Sequence, residues 1–441
     1  MRIKLLRIWE ELTRSFWFTP TLIAIGGLVL AVVLVLAEPW VRPLELPYLS
    51  KLYLSDPAGA RSILATIASS AITVAGVVFS ITIVVLNMAS AQFGPRLLPN
   101  FMQHGATQAV LGTFMGTFIY CLTSLSMIHV GNGSPQVPQL AVAMGLVLGV
   151  ASFGVLIYFI HHVAIFIQAP RIIDDVGRQL IANLESAFPA RDDSRPSSPP
   201  QPGEPAAGAA IIEGRPVCAS SAGYVQAVDR EGLLDAARER DLHIRLLVHP
   251  GDYVSTGDRV AEVQGDDPPE DNADGPVLSA LLLGPQRTQT QDPAFGVYQL
   301  VEIGLRALSP GINDPFTAVS CIDRLGNAVG ELARRQIPSH LVWDDEGQLR
   351  LQVKPYTYAS IVGAAFDQLR RASTDHLDVT LRLLAVLGNL LERELPSELR
   401  QALVDQARAV REAADRNSLV DRDRDALEAA WKATRADDDT A

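Results

Sequence analysis

The sequence predicts an α-helical membrane domain of four transmembrane helices, followed by a cytoplasmic α+β region with a small β-module and a helical domain. Three observations predict this. Four long uncharged stretches fall within the first 170 residues. Charged residues make up only 20% of the 441, and the mean hydropathy is +0.18. Acidity is confined to the second part: the whole chain is −12, residues 1–170 hold eight Lys/Arg against five acids, +3, and so residues 171–441 carry −15.

The spans are expected at about 15–37, 62–93, 107–128 and 139–164, each near the ~20 apolar residues that a bilayer core requires. The first run is too long for a cleaved signal peptide and lacks a good cleavage pattern. Flanking basic residues set the orientation. Arg2, Lys4, Arg7 and Arg14 precede the first span, Arg96 lies between the second and third, and Arg171 and Arg178 follow the fourth, whereas "HVGNGSPQVP" (129–138) has neither Lys nor Arg. Both termini are therefore expected in the cytoplasm of an inner-membrane protein. Loop 38–61 is the exception, with Arg42, Lys51 and Arg61 set against Glu38, Glu45 and Asp56.

The second span is the most informative. Thr66, Ser69, Thr73, Gly76, Ser80 and Asn87 recur at steps of three and four, together with Ser62, Ile83 and Ser90. This is one helix face at heptad spacing. It is either a close helix–helix seam, where small residues let backbones approach, or a wet, pore-lining face in an oligomer. No Asp, Glu, Lys or Arg falls within the expected spans, which disfavours a proton relay or a charge-coupled transporter. Gly112 and Gly116 in the third span, and Gly145 and Gly149 in the fourth, are small-xxx-small packing patterns. His161 and His162 are adjacent, so they do not share a helix face as a metal pair would.

The soluble region starts with a helical run near 171–188 and a Pro/Ser/Gly-rich linker, 189–209. Residues 210–284 read as a small β-module, with turns at Pro250-Gly251-Asp252 and Thr256-Gly257-Asp258 and a short helix near 230–240. Its "GYV" start and "PGDYVSTGDRVAEV" end resemble the biotinyl/lipoyl-type hammerhead barrel. No lysine lies between Lys51 and Lys354, so covalent biotin or lipoate is excluded and no cofactor is expected. A polar acidic loop (264–276) follows. Residues 285–441 read as mainly helical, with a hairpin at 342–353 and amphipathic helices at 356–373, 375–394, 397–416 and 420–435.

Within the helical region, "RTQTQD" (287–292) and "LSPGINDPFTA" (308–318) stand out. Asp292 and Asp314 each precede a proline and a helical pattern, as Asp56 does, which marks an N-cap followed by Pro at the first helical position. That accounts for Asp314 and leaves Asn313 unexplained, as well as the donors and acceptors of Arg287, Thr288 and Gln291. The other reading joins the two helix N-termini in one anion or small-ligand cradle. Cys121, Cys218 and Cys321 are far apart and point to no disulfide framework. The acidity of the soluble region disfavours nucleic acid. No phosphate loop, paired metal ligands, HExxH or GxSxG occurs, so no catalytic residue is assigned and no enzyme is expected.

"SSAITVAGVVFSITIVVLNMASAQFGPRLL" (69–98) and "RTQTQDPAFGVYQLVEIGLRALSPGINDPFTAVSCIDRL" (287–325) resemble the bacterial predicted membrane proteins of domain-of-unknown-function family 2254. The resemblance spans almost the whole chain. It implies an inner-membrane protein with an N-terminal membrane domain, and no established activity. The functions weighed are a homo-oligomeric pore gated by its cytoplasmic domain and a membrane-anchored sensory or scaffold protein. Both have the lipid bilayer and self-association as partners and a soluble ligand left open.

Overall fold

The structure, a computed structural model, describes residues 17–41, 57–94, 105–128, 137–166, 168–191, 214–265, 274–289, 291–416, 419–434 and 436. The basic N-terminal residues, most of loops 38–61 and 129–138, and nearly all of the linker lie outside the described residues. The chain divides into two compact units, Met1–Arg171 and Ile172–Ala441.

Among the described residues the first unit contains four long helices: α1 (Phe18–Val41), α2 (Pro57–Phe93), α3 (Gly105–Ser126) and α4 (Gln139–Phe166). All four are long and apolar enough to cross a membrane. Lipid is as apolar as leucine, so helices associate there through close packing and hydrogen bonds rather than water exclusion. Glycine supplies the packing. A Cβ on Gly27 of α1 would stand 2.5 Å from the Gly116 carbonyl oxygen of α3, and one on Gly145 of α4 would stand 2.7 Å from Leu64 Cδ2 of α2. Between α3 and α4, Thr117 and Ser152 share a buried hydrogen bond of 3.2 Å, and the Tyr120 hydroxyl donates to the Ala141 carbonyl at 2.7 Å.

Helix ends on one side of the bundle are tied by charge. The Glu38 carboxylate accepts from the backbone N–H groups of Gln139 and Leu140, both at 3.0 Å. Arg61 Nη2 donates to the Ile128 carbonyl at 2.8 Å, just past α3. Free N–H groups begin a helix and free carbonyls end it, so an anion at the first and a cation at the second also complement the helix dipoles. Both residues were assigned to the loop 38–61 from sequence. The helices run further than expected, and the charges sit within their terminal turns.

The second unit opens with α5 (Ala169–Ala187), whose Ile173, Val176, Leu180 and Leu184 are buried. Two sheets follow. One has the order β1 (Arg215–Cys218), β5 (Arg259–Gln264), β3 (His243–Leu246), β8 (Leu349–Gln352), β7 (Leu341–Trp343). The other runs β4 (Tyr253–Val254), β2 (Gly223–Val228), β6 (Leu281–Gly284). Helix α6 (Arg230–Glu239), capped by Asp229 accepting from Gly232 N–H, and the short α7 (Gly275–Ala280) complete this part. Strand β6 falls within the β-module expected over 210–284, whereas the helix α7 is not expected from the sequence.

The β-module expected over 210–284 draws its last two strands from beyond residue 285. Strand β3 pairs in parallel with β8, Ile244 opposite Leu351, and Leu351 and Val353 share a core with Val217, Val225, Leu233 and Ile244. The β7–β8 hairpin is pinned by Arg350, whose Nε donates to Asp344 Oδ2 at 2.7 Å and whose Nη1 donates to Asp241 Oδ1 at 2.5 Å. These bonds hold the Asp344 carboxyl below the usual range.

The remaining helices are α8 (Phe295–Ala307), α9 (Pro315–Leu332), α10 (Tyr358–Ala372), α11 (Leu377–Leu391), α12 (Ser397–Asp415) and α13 (Asp421–Thr434). Their apolar faces meet in one core, and α10 begins with a reciprocal Thr357–Ser360 capping box. Helix α5 belongs to this packing: a Cβ on Gly177 would meet Arg324 at 3.2 Å, and one on Gly296 would meet Leu180 at 3.0 Å.

The close approach of the Gly27 and Gly116 backbones in the membrane unit generates a stability prediction. Gly27→Ala forces α1 and α3 apart and lowers stability by about 1–3 kcal/mol, the usual cost of overpacking. Gly26→Ala, where nothing lies within 4 Å, leaves it unchanged. Thermal unfolding of the two variants in one detergent checks this.

Candidate functional site

The polar "RTQTQD" segment is a buckle. Arg287 reaches Asp292 Oδ2 through Nε at 2.9 Å and Nη2 at 2.6 Å, and its guanidinium lies 4.5 Å from the centre of the Tyr298 ring on α8. Asp292 is 2% exposed, and its Oδ1 accepts from Ala294 N–H at 3.0 Å. Gln291 Oε1 accepts from Val228 N–H of β2 at 2.9 Å, and Thr288 Oγ1 donates to the Gln226 carbonyl at 3.4 Å. The donors and acceptors that suggested a ligand cradle are thus spent on the protein itself, joining β2 to α8.

The turn Pro250-Gly251-Asp252 closes over the same pair. Gly251 has φ +96°, and a Cβ there would stand 2.5 Å from both Arg287 Nη2 and Asp292 Oδ2. His249 stacks on Tyr356 with ring centres 5.0 Å apart, and Lys354 Nζ lies 2.9 Å from Asp252 Oδ2. Burial raises the Tyr356 phenol well above its ordinary value, and among the described residues its hydroxyl has no hydrogen-bond partner. Burial also raises the Asp292 carboxyl, against the opposing pull of Arg287. Asp292 in turn holds the Arg287 guanidinium above its ordinary value despite burial, so each charge is buried against its partner.

Asp292 was expected to be an N-cap, and here the structure corrects the sequence. Helix α8 starts two residues later, Ala294 holds the cap position, and no side chain caps it. Buried against Arg287, Asp292 makes a turn instead. Asp314 does cap α9: its Oδ1 accepts from Thr317 N–H at 3.2 Å, its Oδ2 from Thr317 Oγ1 at 2.6 Å, and Pro315 opens the helix. Asn313 takes φ +50°, a left-handed conformation that asparagine tolerates better than most residues. That reversal lets Asp314 N–H reach the Ala307 carbonyl at 2.7 Å, so Asn313 gains a backbone reason. Thirteen residues of α8 separate the two segments, about 20 Å at helical rise. Asp292 and Asp314 therefore sit at opposite ends of α8 and form no common cradle.

In the membrane unit, α2 buries Leu64, Ala68, Ala71, Ala75, Val78 and Thr82 against its neighbours. Thr66, Ser69, Thr73, Gly76, Ser80 and Asn87 are all exposed. At 100° per residue the two sets face roughly 150° apart. The stripe is therefore no seam within this chain; from Ser69 to Asn87 it points away from the chain's own bundle, and Thr66 stands at its edge. Thr66 and Thr73 hydroxyls donate to the carbonyls four residues back, at 2.7 and 2.8 Å. A cavity of about 240 Å³ lies between α2, α3 and α4, with Thr66 and Ser70 on one wall and Thr117 and Ser152 on another. Among the described residues, no three His, Cys, Asp or Glu side chains converge as metal ligands.

Glu38, Arg61, Gly251 and Tyr356 were missed as site-forming residues. For Gly251 the Pro-Gly-Asp turn was a local signal. For the others the partner lies 67 to 107 residues away, and no short-range pattern marks it.

A family model described as predicted membrane protein (DUF2254) matches residues 13–389. Uncharacterized proteins of Mycobacterium bovis and of Mycobacterium tuberculosis are 31% identical over 428 residues, 95% of this chain and 79% of theirs. No solved structure matches.

Two predictions separate the acids. Asp292→Ala strands Arg287 in the interior and costs about 3–5 kcal/mol, whereas joint replacement by Arg287→Met and Asp292→Leu costs much less. Equilibrium denaturation of the full-length variants reads both. Asp314→Ala costs about 1 kcal/mol and Asp314→Ser only a few tenths; an equal loss in the two would contradict the capping role.

Proposed function

The chain belongs to the DUF2254 family of predicted membrane proteins, and from that premise we propose a homo-oligomeric channel or pore of the bacterial inner membrane, gated by its soluble unit on the cytoplasmic side. One observation carries the reading: the small polar face of α2 is turned away from its own bundle. Placed around an axis by several copies, such a face lines a path with hydroxyls, an amide and exposed backbone at Gly76, without fixed charge. Arg61, which ran against the positive-inside pattern, is engaged at the end of α3, and this favours both termini in the cytoplasm. The β-strands fit a hammerhead-like structural or binding module, supported by two sheets around one core. We assign no catalysis.

The second reading is a membrane-anchored scaffold, in which the stripe is a dry seam between copies. Thr66 and Thr73 favour it, because each hydroxyl already has a backbone partner and needs no water.

Single cysteines distinguish the two, after Cys121, Cys218 and Cys321 are replaced. Thr73→Cys, Ser80→Cys and Asn87→Cys react with a small charged thiol reagent if the stripe lines water. Val78→Cys, on the buried face, and Ile81→Cys, exposed on another side, do not. If no stripe position reacts and planar bilayers carry no current, the pore is abandoned and the scaffold stands.

A further inference from the structure

A second cavity, about 180 Å³, lies between α9 and α11. Two glycines one turn apart let the helices meet. A Cβ on Gly326 would stand 2.3 Å from Val386 Cγ1, and one on Gly330 would stand 3.2 Å from Leu390 Cδ2 and 2.5 Å from Arg393 Nη1. The floor is therefore apolar and closely packed. Its walls and ends are polar: Asn327 on α9, Asn389 on α11, Arg382 at one end and Arg393 at the other. Arg382 and Asn389 lie seven residues apart on one face of α11, and Arg393 follows just past the helix end at Leu391, so the two guanidiniums and the Asn389 amide border one groove.

Only one of these cations is neutralised. Arg382 Nε donates to Asp323 Oδ1 at 2.6 Å. Among the described residues the Arg393 guanidinium has no ion pair, and the Asn327 and Asn389 amides have no hydrogen-bond partner. Two arginines against one carboxylate leave the groove positive, within a region that carries −15 overall. Solvated surface side chains are the ordinary account of exposed Arg and Asn. Arg393 departs from it, because its guanidinium is seated where a Gly330 side chain would otherwise be.

We propose that this groove binds a small oxyanion, with a phosphate or carboxylate end on Arg393 and the two asparagine amides bonded to its remaining oxygens. Charge-assisted bonds to a planar guanidinium suit both anion types. The cavity is below the roughly 300–1,000 Å³ typical of drug-sized ligands, which points to an inorganic anion or a small phosphorylated or carboxylated metabolite. The site is independent of the pore reading and gives the soluble unit a ligand to respond to.

The test uses full-length protein in detergent, titrated with sodium phosphate or with citrate at constant ionic strength, with chloride as the reference. Either anion raises the melting temperature of the wild-type protein, and the stronger of the two identifies the ligand class. Arg393→Gln weakens the effect roughly tenfold or more, as loss of a charge-assisted hydrogen bond requires, and Asn389→Ala weakens it less. Arg371→Gln, an exposed arginine outside the groove, leaves it unchanged. Isothermal titration reads the same ranking independently of stability. Equal responses in wild type and Arg393→Gln, or no response to either anion, overturn the proposal.

Discussion

The hydrocarbon of a bilayer offers a helix neither hydrogen bonds nor a hydrophobic reward for meeting another helix, and the membrane unit depends on that constraint. Helices there hold together where backbones touch and where polar atoms find partners. Gly27 against Gly116 and Gly145 against Leu64 supply the touch. Thr117 with Ser152, and Tyr120 with the Ala141 carbonyl, supply the partners. At the ends of the bundle, where water and lipid headgroups begin, Glu38 and Arg61 take over the same task with charge. All four helices are thereby arranged with the alanine face of α2 inward, and its hydroxyl face is left outside.

That division gives the polar stripe its meaning. A hydroxyl in a membrane helix is neutral in cost once it bonds its own backbone, as Thr66 and Thr73 do. Self-satisfied hydroxyls alone would not require a partner. What the structure adds is that this face, small and polar except at Ile83, lies on the side that the chain's own packing does not use. The heptad steps along this face suit the left-handed crossing common to helix bundles.

In the second unit the governing contact is the buried Arg287–Asp292 pair. It holds a turn of the β-module, the strand β2 and the start of α8 in one place. Burying the pair costs desolvation, which the raised Asp292 pKa reflects. In return the guanidinium is held by one carboxylate and one aromatic ring at once. Gly251 completes the arrangement because no side chain fits between the turn and the pair.

The sequence by itself determined what depends on near neighbours. Length and hydropathy marked four spans, since crossing a bilayer is a matter of consecutive residues. Apolar spacing placed the helices from α10 to α13 within a few residues, and Asp314-Pro315 marked the start of α9, because capping is local chemistry. The same logic failed at Asp292-Pro293, where Arg287, five residues earlier, competed for the carboxylate and won. Only the tertiary structure decided that the β7–β8 hairpin completes the module's sheet, that Glu38 and Arg61 belong to helix ends, that the α2 stripe faces outward, and that Asn327, Asn389 and Arg393 share a groove. Each of these joins residues tens of positions apart, or depends on which face a helix turns to its neighbours. Packing settles such choices, and periodicity alone shows only that a face exists.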